Sequence, residues 1–313
     1  MADNKYIYAV ARIRALELGL LNDQFIEQLI ATPDMESAKR LLAEKGWDED
    51  LTVEEEKIWK TMKDLGVDMS IFDVITLPKL YHNLKTAIKA VISPGDYQKA
   101  FFDGTEIDKD KMLSIVKEKS WKELPEHMQK AAQEAYESFT ANQDGQICDM
   151  LVDKACLEAI IGAANKSKEQ GIRDYARLVV NVANVKIASR CARTGKSIDF
   201  IKKALAKGDS LNTDRLAKAA AGGMDSIIEY LRRDFPEQAD ALAKSPSAFE
   251  SSCDNAIVEL IRPQKTNPFT VGPLFAYALG RQNEIKTVRI VMAGKENGLP
   301  ADAIRQRVRR MYG

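Results

Sequence analysis

Cysteine and histidine are scarce, with four of the first and two of the second in 313 residues. Cys148, Cys156, Cys191 and Cys253 form no C-x-x-C pair, and none lies close in sequence to His82 or His127. Neither a zinc site nor a disulfide scaffold is signalled. An excess of one charge is also lacking. The 46 Lys and Arg balance 46 Asp and Glu, which argues against a strongly basic nucleic-acid binder and against an acidic disordered chain. Seventeen Gly and ten Pro are too few for a fibrous or linker-rich chain. Long apolar runs are missing too. The longest charge-free stretch, Thr266 to Gly280, has 15 residues and carries Pro268 and Pro273, short of the ~18–20 that a bilayer span needs. Asp3, Lys5, Arg12 and Arg14 would interrupt the apolar region of a signal peptide. These lacks predict a cytoplasmic protein with no segment inserted in a membrane.

What is present is apolar periodicity at three- and four-residue steps. It runs through Leu21, Phe25, Ile26, Leu29, Ile30, Ala38, Leu41 and Leu42, and again through Ile198, Ile201, Ala204 and Leu205. Alternating runs are absent and the prolines stand singly, where they can open or close helices. The chain reads as all-α. A longer period lies over the short one. Asn83, Lys85, Lys89 and Gly95 match Asn184, Lys186, Arg190 and Gly195, and again Asn283, Lys286, Arg289 and Gly294. The asparagines are 101 and 99 residues apart. Asp153 to Glu158 resembles Asp254 to Glu259, with Asp50 to Glu55 a weaker copy, and Gly104 to Met112 resembles Gly208 to Leu216. Matches in one register predict a triplicated helical unit. The units are 50–152, 153–253 and 254–313, the last completed by 1–49 or else a partial fourth copy.

Candidate chemistry is thin. Arg193-Thr-Gly-Lys-Ser197 ends like a phosphate loop, but the glycine required five residues before Gly195 is Arg190, and no strand precedes it. Gly195 reads better as the end of an apolar helix that starts near Tyr175 and whose Asn181 and Asn184 need partners. No H-E-x-x-H and no nucleophile elbow occurs. His82 reads as packed or at the surface, His127 as solvated, and Glu54, Glu55 and Glu56 as helix-start residues favoured by the dipole. No catalytic, cofactor-binding or metal-binding residue is expected. The repeated cations Lys85, Lys89, Lys186, Arg190, Lys286 and Arg289 either complement helix ends before a capping glycine or form basic patches for an acidic partner.

Pro273-Leu-Phe-Ala-Tyr-Ala-Leu-Gly-Arg-Gln-Asn-Glu-Ile-Lys-Thr-Val-Arg-Ile-Val-Met-Ala-Gly-Lys295, followed by Gly298-Leu-Pro300, closely resembles the C-terminal signature of the C subunit of archaeal and bacterial V/A-type ATPases. The same family includes the d subunit of the eukaryotic vacuolar enzyme. Tyr6 to Glu17 with Leu20-Leu21 is similar to that family's opening. The resemblance implies a pseudo-threefold funnel of helices and a non-catalytic rotor subunit of the central stalk. Its implied partners are axle subunits of the D and F type and the proteolipid c/K ring, on the cytoplasmic face of the membrane. It implies no cofactor and no nucleic-acid partner. Two other readings stay open: a soluble helical-repeat adaptor for an acidic partner, and a nucleotide-binding enzyme resting on Gly195-Lys196-Ser197.

Overall fold

Helices form where the apolar periodicity runs, and they begin where a short polar side chain can take a free backbone N–H. The computed structural model describes residues 6–93, 95–208 and 210–313; Asp3, Lys5, Pro94 and Asp209 lie outside the described residues. Among the described residues there are sixteen α-helices and no strand, so the fold is all-α. In chain order they are α1 Ile7–Glu17, α2 Asp23–Ala31, α3 Met35–Glu44, α4 Leu51–Asp64, α5 Asp73–Ile92, α6 Lys109–Glu118, α7 Glu126–Asn142 and α8 Gly145–Lys166. There follow α9 Gln170–Arg193, α10 Ile198–Ala204, α11 Thr213–Ala221, α12 Met224–Arg232, α13 Pro236–Lys244, α14 Pro246–Ile261, α15 Gly272–Glu296 and α16 Ala301–Arg305.

The helix starts follow side-chain chemistry. Asn22, Asp34, Asp50, Asp108, Asp144, Ser197, Asn212 and Ser245 each accept a backbone N–H of the helix they open, a contribution of about 1 kcal/mol apiece. Prolines occupy the first turns of α13, α14 and α15, where no N–H is needed. The apolar run from Leu20 to Leu42 is two helices, because Thr32-Pro33-Asp34 breaks it and Asp34 caps the second. Pro78 departs from the expected boundary role. It lies inside α5, where its missing N–H removes one ladder bond, that to the Val74 carbonyl, and the helix continues.

The chain divides into two units. The first comprises Met1–Met69, Glu169–Tyr175 and Leu231–Gly313. Its central element is α15, which is touched by α1, α2, α3, α4, α14 and α16. Leu274, Phe275, Ala278, Ile285, Val288 and Val291 of α15 are buried; its first turns, Gly272 to Gly280, are apolar and buried on all sides, and Lys286 and Arg289 further along are exposed. Burying each large side chain contributes roughly 1.5–3 kcal/mol. Glycine lets the C-terminal residues press against this helix: a Cβ on Gly280 would stand 2.7 Å from the Tyr312 ring.

The second unit comprises Ser70–Lys168 and Ala176–Tyr230. Here α5 packs on α6, α7 and α8, α7 packs on α8, and α10 packs on α8 and α11. Phe72, Leu84, Ile88, Met112, Ile115, Met128, Val152 and Ile160 fill the interior. All four cysteines of the chain are buried thiols. Burial pushes Cys148 up to about 11 and Cys156 up to about 12, which leaves them protonated and unreactive at neutral pH.

Candidate functional site

The repeated asparagines hold backbone. Asn83 is fully buried in α5; its Oδ1 accepts the Phe102 N–H at 2.8 Å while its Nδ2 donates to the Phe102 carbonyl at 2.8 Å and to Thr105 Oγ1 at 3.0 Å. Asn184, buried in α9, does the same to Ala206, accepting its N–H and donating to its carbonyl, both at 2.9 Å. Asn181, one turn earlier, donates to Ser210 Oγ at 2.8 Å. Asn83 and Asn184 thus each pin the chain where it returns past their helix, satisfying the N–H and the carbonyl of one residue at once. Asn283 behaves differently. It is half-buried and donates to the Arg310 carbonyl at 2.7 Å. The side chain of α15 that takes a backbone N–H is its neighbour Glu284, whose Oε1 accepts from Leu21 at 2.6 Å.

Glu284 belongs to a buried charge cluster that sequence reading missed. Arg281 Nη1 donates to Glu284 Oε2 at 2.5 Å, and Arg281 Nη2 donates to Glu54 Oε2 at 2.6 Å. Glu54 Oε1 also accepts the Asp48 N–H at 2.7 Å and Lys57 Nζ at 2.5 Å. The Arg281 guanidinium lies 4.6 Å from the Trp47 ring centroid, a cation–π contact. Glu54 is 2% exposed and Glu284 0%. Burial raises the Glu284 carboxyl to about 7, against the opposing pull of Arg281 and of the Leu21 N–H. Glu54 is therefore more than the helix-start residue its position suggested. Its partner stands 227 residues away in sequence, and no local pattern marks such a pair.

Lys85, Lys89 and Lys286 among the repeated cations already hold carboxylates of this chain. Lys85 reaches Asp153 at 2.7 Å and Lys89 reaches Asp149 at 2.6 Å, tying α5 to α8. Lys286 reaches Asp254 of α14 at 2.5 Å, and Arg309 Nε reaches the same oxygen at 2.6 Å. Lys186 is exposed, as are Arg190 and Arg289. Arg190 and Arg289 have no ion-pair partner among the described residues.

The three glycines do not share one role. Gly195 has φ +62 and follows the end of α9, where Lys196 N–H bonds the Cys191 carbonyl at 3.0 Å. It is a helix-ending glycine as expected. Gly294 lies within α15, where a Cβ would stand 2.6 Å from Ile304 Cγ1; the helix is ended by Gly298, with φ +64. Close packing of Ile304, and not capping, requires glycine there. Gly95 follows α5 and faces the Tyr97 ring, 2.9 Å from where a Cβ would stand.

Around Gly195 the phosphate-loop resemblance dissolves. Lys196 Nζ reaches Gln146 Oε1 at 3.2 Å and lies 5.1 Å from the Phe200 ring centroid, while Ser197 caps α10. His82 Nε2 contacts the Ala100 carbonyl at 2.9 Å with its ring edge-on to Phe102. His127 is exposed, yet Tyr81 Oη lies 2.9 Å from both its Nδ1 and its carbonyl. Partial desolvation of the ring lowers the pKa of that imidazole. Among the described residues no group of His, Cys, Asp and Glu could hold a metal, and no helix is long and apolar enough to cross a membrane. A groove of about 910 Å³ in the second unit is lined by Lys130, Lys154, Lys166, Lys203 and Lys207 and by the carboxylates Asp73, Glu134 and Glu158, over Ala155 and Ala159. These lysines come from three segments that share no spacing, so no repeat announced them.

The structural class is an all-α chain whose most regular polar residues hold its own helices and turns together, and comparison with known proteins gives the class as that of ATP synthase subunits. The pattern of the ATP synthase (C/AC39) subunit family matches residues 9–307, and the chain belongs to that family. It is 21% identical to the C subunit of the V-type sodium ATPase of Enterococcus hirae, over 96% of this chain and 97% of the relative. It is 26% identical to the C subunit of the A-type ATP synthase of Halorubrum lacusprofundi over 71% and 68%, and 23% identical to that of Methanocaldococcus jannaschii over 96% and 85%.

Proposed function

We propose that this chain is a non-catalytic central-stalk subunit of a V/A-type rotary ATPase, lying peripherally on the cytoplasmic face of the membrane and joining axle subunits of the D and F type to the proteolipid ring. The observation that carries the reading is the family match over 9–307, together with near-complete coverage of the C subunit of a V-type sodium ATPase. In this reading 50–152, 153–253 and 254–313 are three units of a pseudo-threefold funnel, the third completed by 1–49. The identical grips of Asn83 and Asn184 support the repeat. The packing of α1, α2 and α3 on α15 supports the completion.

If the repeated cations seat an acidic shaft, Arg190 and Arg289 are the two of the six that are exposed and have no ion-pair partner among the described residues. A coupler carries torque through packed interiors and wide interfaces, and needs no mobile catalytic loop. The test is a reconstituted complex in which ATP hydrolysis and ion pumping are measured side by side, with and without this subunit. Hydrolysis without pumping in its absence is the expected result; pumping that persists without it refutes the coupling role. Arg190→Glu with Arg289→Glu should weaken assembly most at low salt, where screening is least.

A further inference from the structure

Asn83 and Asn184 each stand two residues before a lysine, Lys85 and Lys186. In α15 the residue two before Lys286 is Glu284, whereas Asn283 is three before it. Burial follows the same register. Asn83, Asn184 and Glu284 are 0%, 1% and 0% exposed, while Asn283 is half-buried. The bond made follows it as well, since each of the three buried side chains takes one backbone N–H from a segment outside its helix: Phe102 and Ala206 from the chain that follows α5 and α9, and Leu21 from the N-terminal segment. We propose that Glu284 is the third clamp of the repeat, and that it makes the closure of the N-terminal segment on α15 sensitive to protonation, where the two asparagine clamps are not.

The chemistry separates the three positions. An amide accepts and donates at once and carries no charge, whereas a carboxylate only accepts. Placing it in the interior demands a cation, and five residues before the lysine, where α5 has Leu80 and α9 has Asn181, α15 has Arg281. The groups that face Glu284 are Arg281 and Tyr277 of α15 and Glu54 of α4 with Lys57 bound to it, while Glu17 of α1, which accepts from Tyr312 Oη at 3.1 Å, acts on Tyr277. The turn between α1 and α2 brings only its backbone, the Leu21 N–H. Burial sets the Glu284 carboxyl near 7 in the closed joint, while in an opened, solvated joint it returns to about 4.3. Between those values the closed state holds more protons than the open one. Opening then releases a proton and becomes up to about tenfold easier per unit of rising pH. Above about 7 both states are ionised and the dependence ends.

The three clamped amides give the test its own references. Hydrogen exchange resolved to single residues is followed in the intact chain from pH 5 to 8, with rates corrected for intrinsic exchange. Protection of the Leu21 amide is expected to fall by up to about tenfold per unit between pH 5 and 7 and then level off. Phe102 and Ala206 should stay flat, and Glu284→Gln should flatten Leu21 to match them. A Leu21 profile parallel to the other two overturns the proposal, as does a slope that survives Glu284→Gln. Should that variant fail to fold, the comparison of three amides in the unaltered chain still decides. The measurement needs no other chain, so its failure leaves the coupling reading untouched.

Discussion

Asn184 and Asn283 occupy matching places in the sequence repeat, and their surroundings separate them. Asn184 completes the hydrogen bonds of the buried Ala206 N–H and carbonyl, so Asn184→Leu strands a donor and an acceptor. The expected loss is about 2–4 kcal/mol of unfolding free energy, read by urea denaturation. Asn283 is half-buried and makes one bond, and Asn283→Ala should cost under about 1 kcal/mol. Equal losses at the two sites would refute this ranking. Gly294 offers a second residue-scale test. A side chain there meets Ile304, so Gly294→Ala should destabilise by about 1–3 kcal/mol, and adding Ile304→Ala should recover part of that loss in a double-mutant cycle. The importance of Gly294 was legible from its place in the repeat, but its reason was not, because Ile304 approaches from a helix outside the repeated pattern.

Helix positions were the most legible part of the fold, since apolar spacing and capping residues act within a few neighbours. The end of α9 shows the same locality: Gly195 and the Ser197 cap follow directly from residue type. On this geometry Lys196 serves a helix junction, so titration with ATP should show no saturable binding, and Lys196→Ala should change nothing in that assay. Binding that disappears in Lys196→Ala would overturn the assignment. The charge cluster between α4 and α15 was illegible, because Glu54 and Arg281 stand at opposite ends of the chain. Arg281→Met leaves two buried carboxylates without their shared cation and should cost about 3–5 kcal/mol at pH 8. The loss should shrink toward pH 5. Burial raises the Glu284 carboxyl, removal of its cation raises it further, and a protonated carboxyl needs no counter-charge. Denaturation curves at the two pH values measure both effects.

The first unit joins the start and end of the chain around α15. Sequence spacing hinted at this, since 1–49 and 254–313 together come close to one repeat length, but it could not choose between completion and a partial fourth copy. Deleting 1–49 uncovers the faces of α15 that α1, α2 and α3 pack against. The truncated chain is expected to bind hydrophobic dye and to self-associate on size-exclusion chromatography; a monodisperse monomer with unchanged thermal stability would refute it. The same arrangement sets a timetable for synthesis. The ribosome releases α1 to α4 long before α15 exists, with 207 residues between Asp64 and Gly272. At about 5–20 residues per second that interval is on the order of ten to forty seconds. During it Ile26, Leu29 and Ile58, which end up buried, have no α15 to cover them. Nascent chains stalled after Arg262 should therefore leave α1 to α4 open to protease while α5 to α8 already resist it. A helix made late is what lets four helices made early fold.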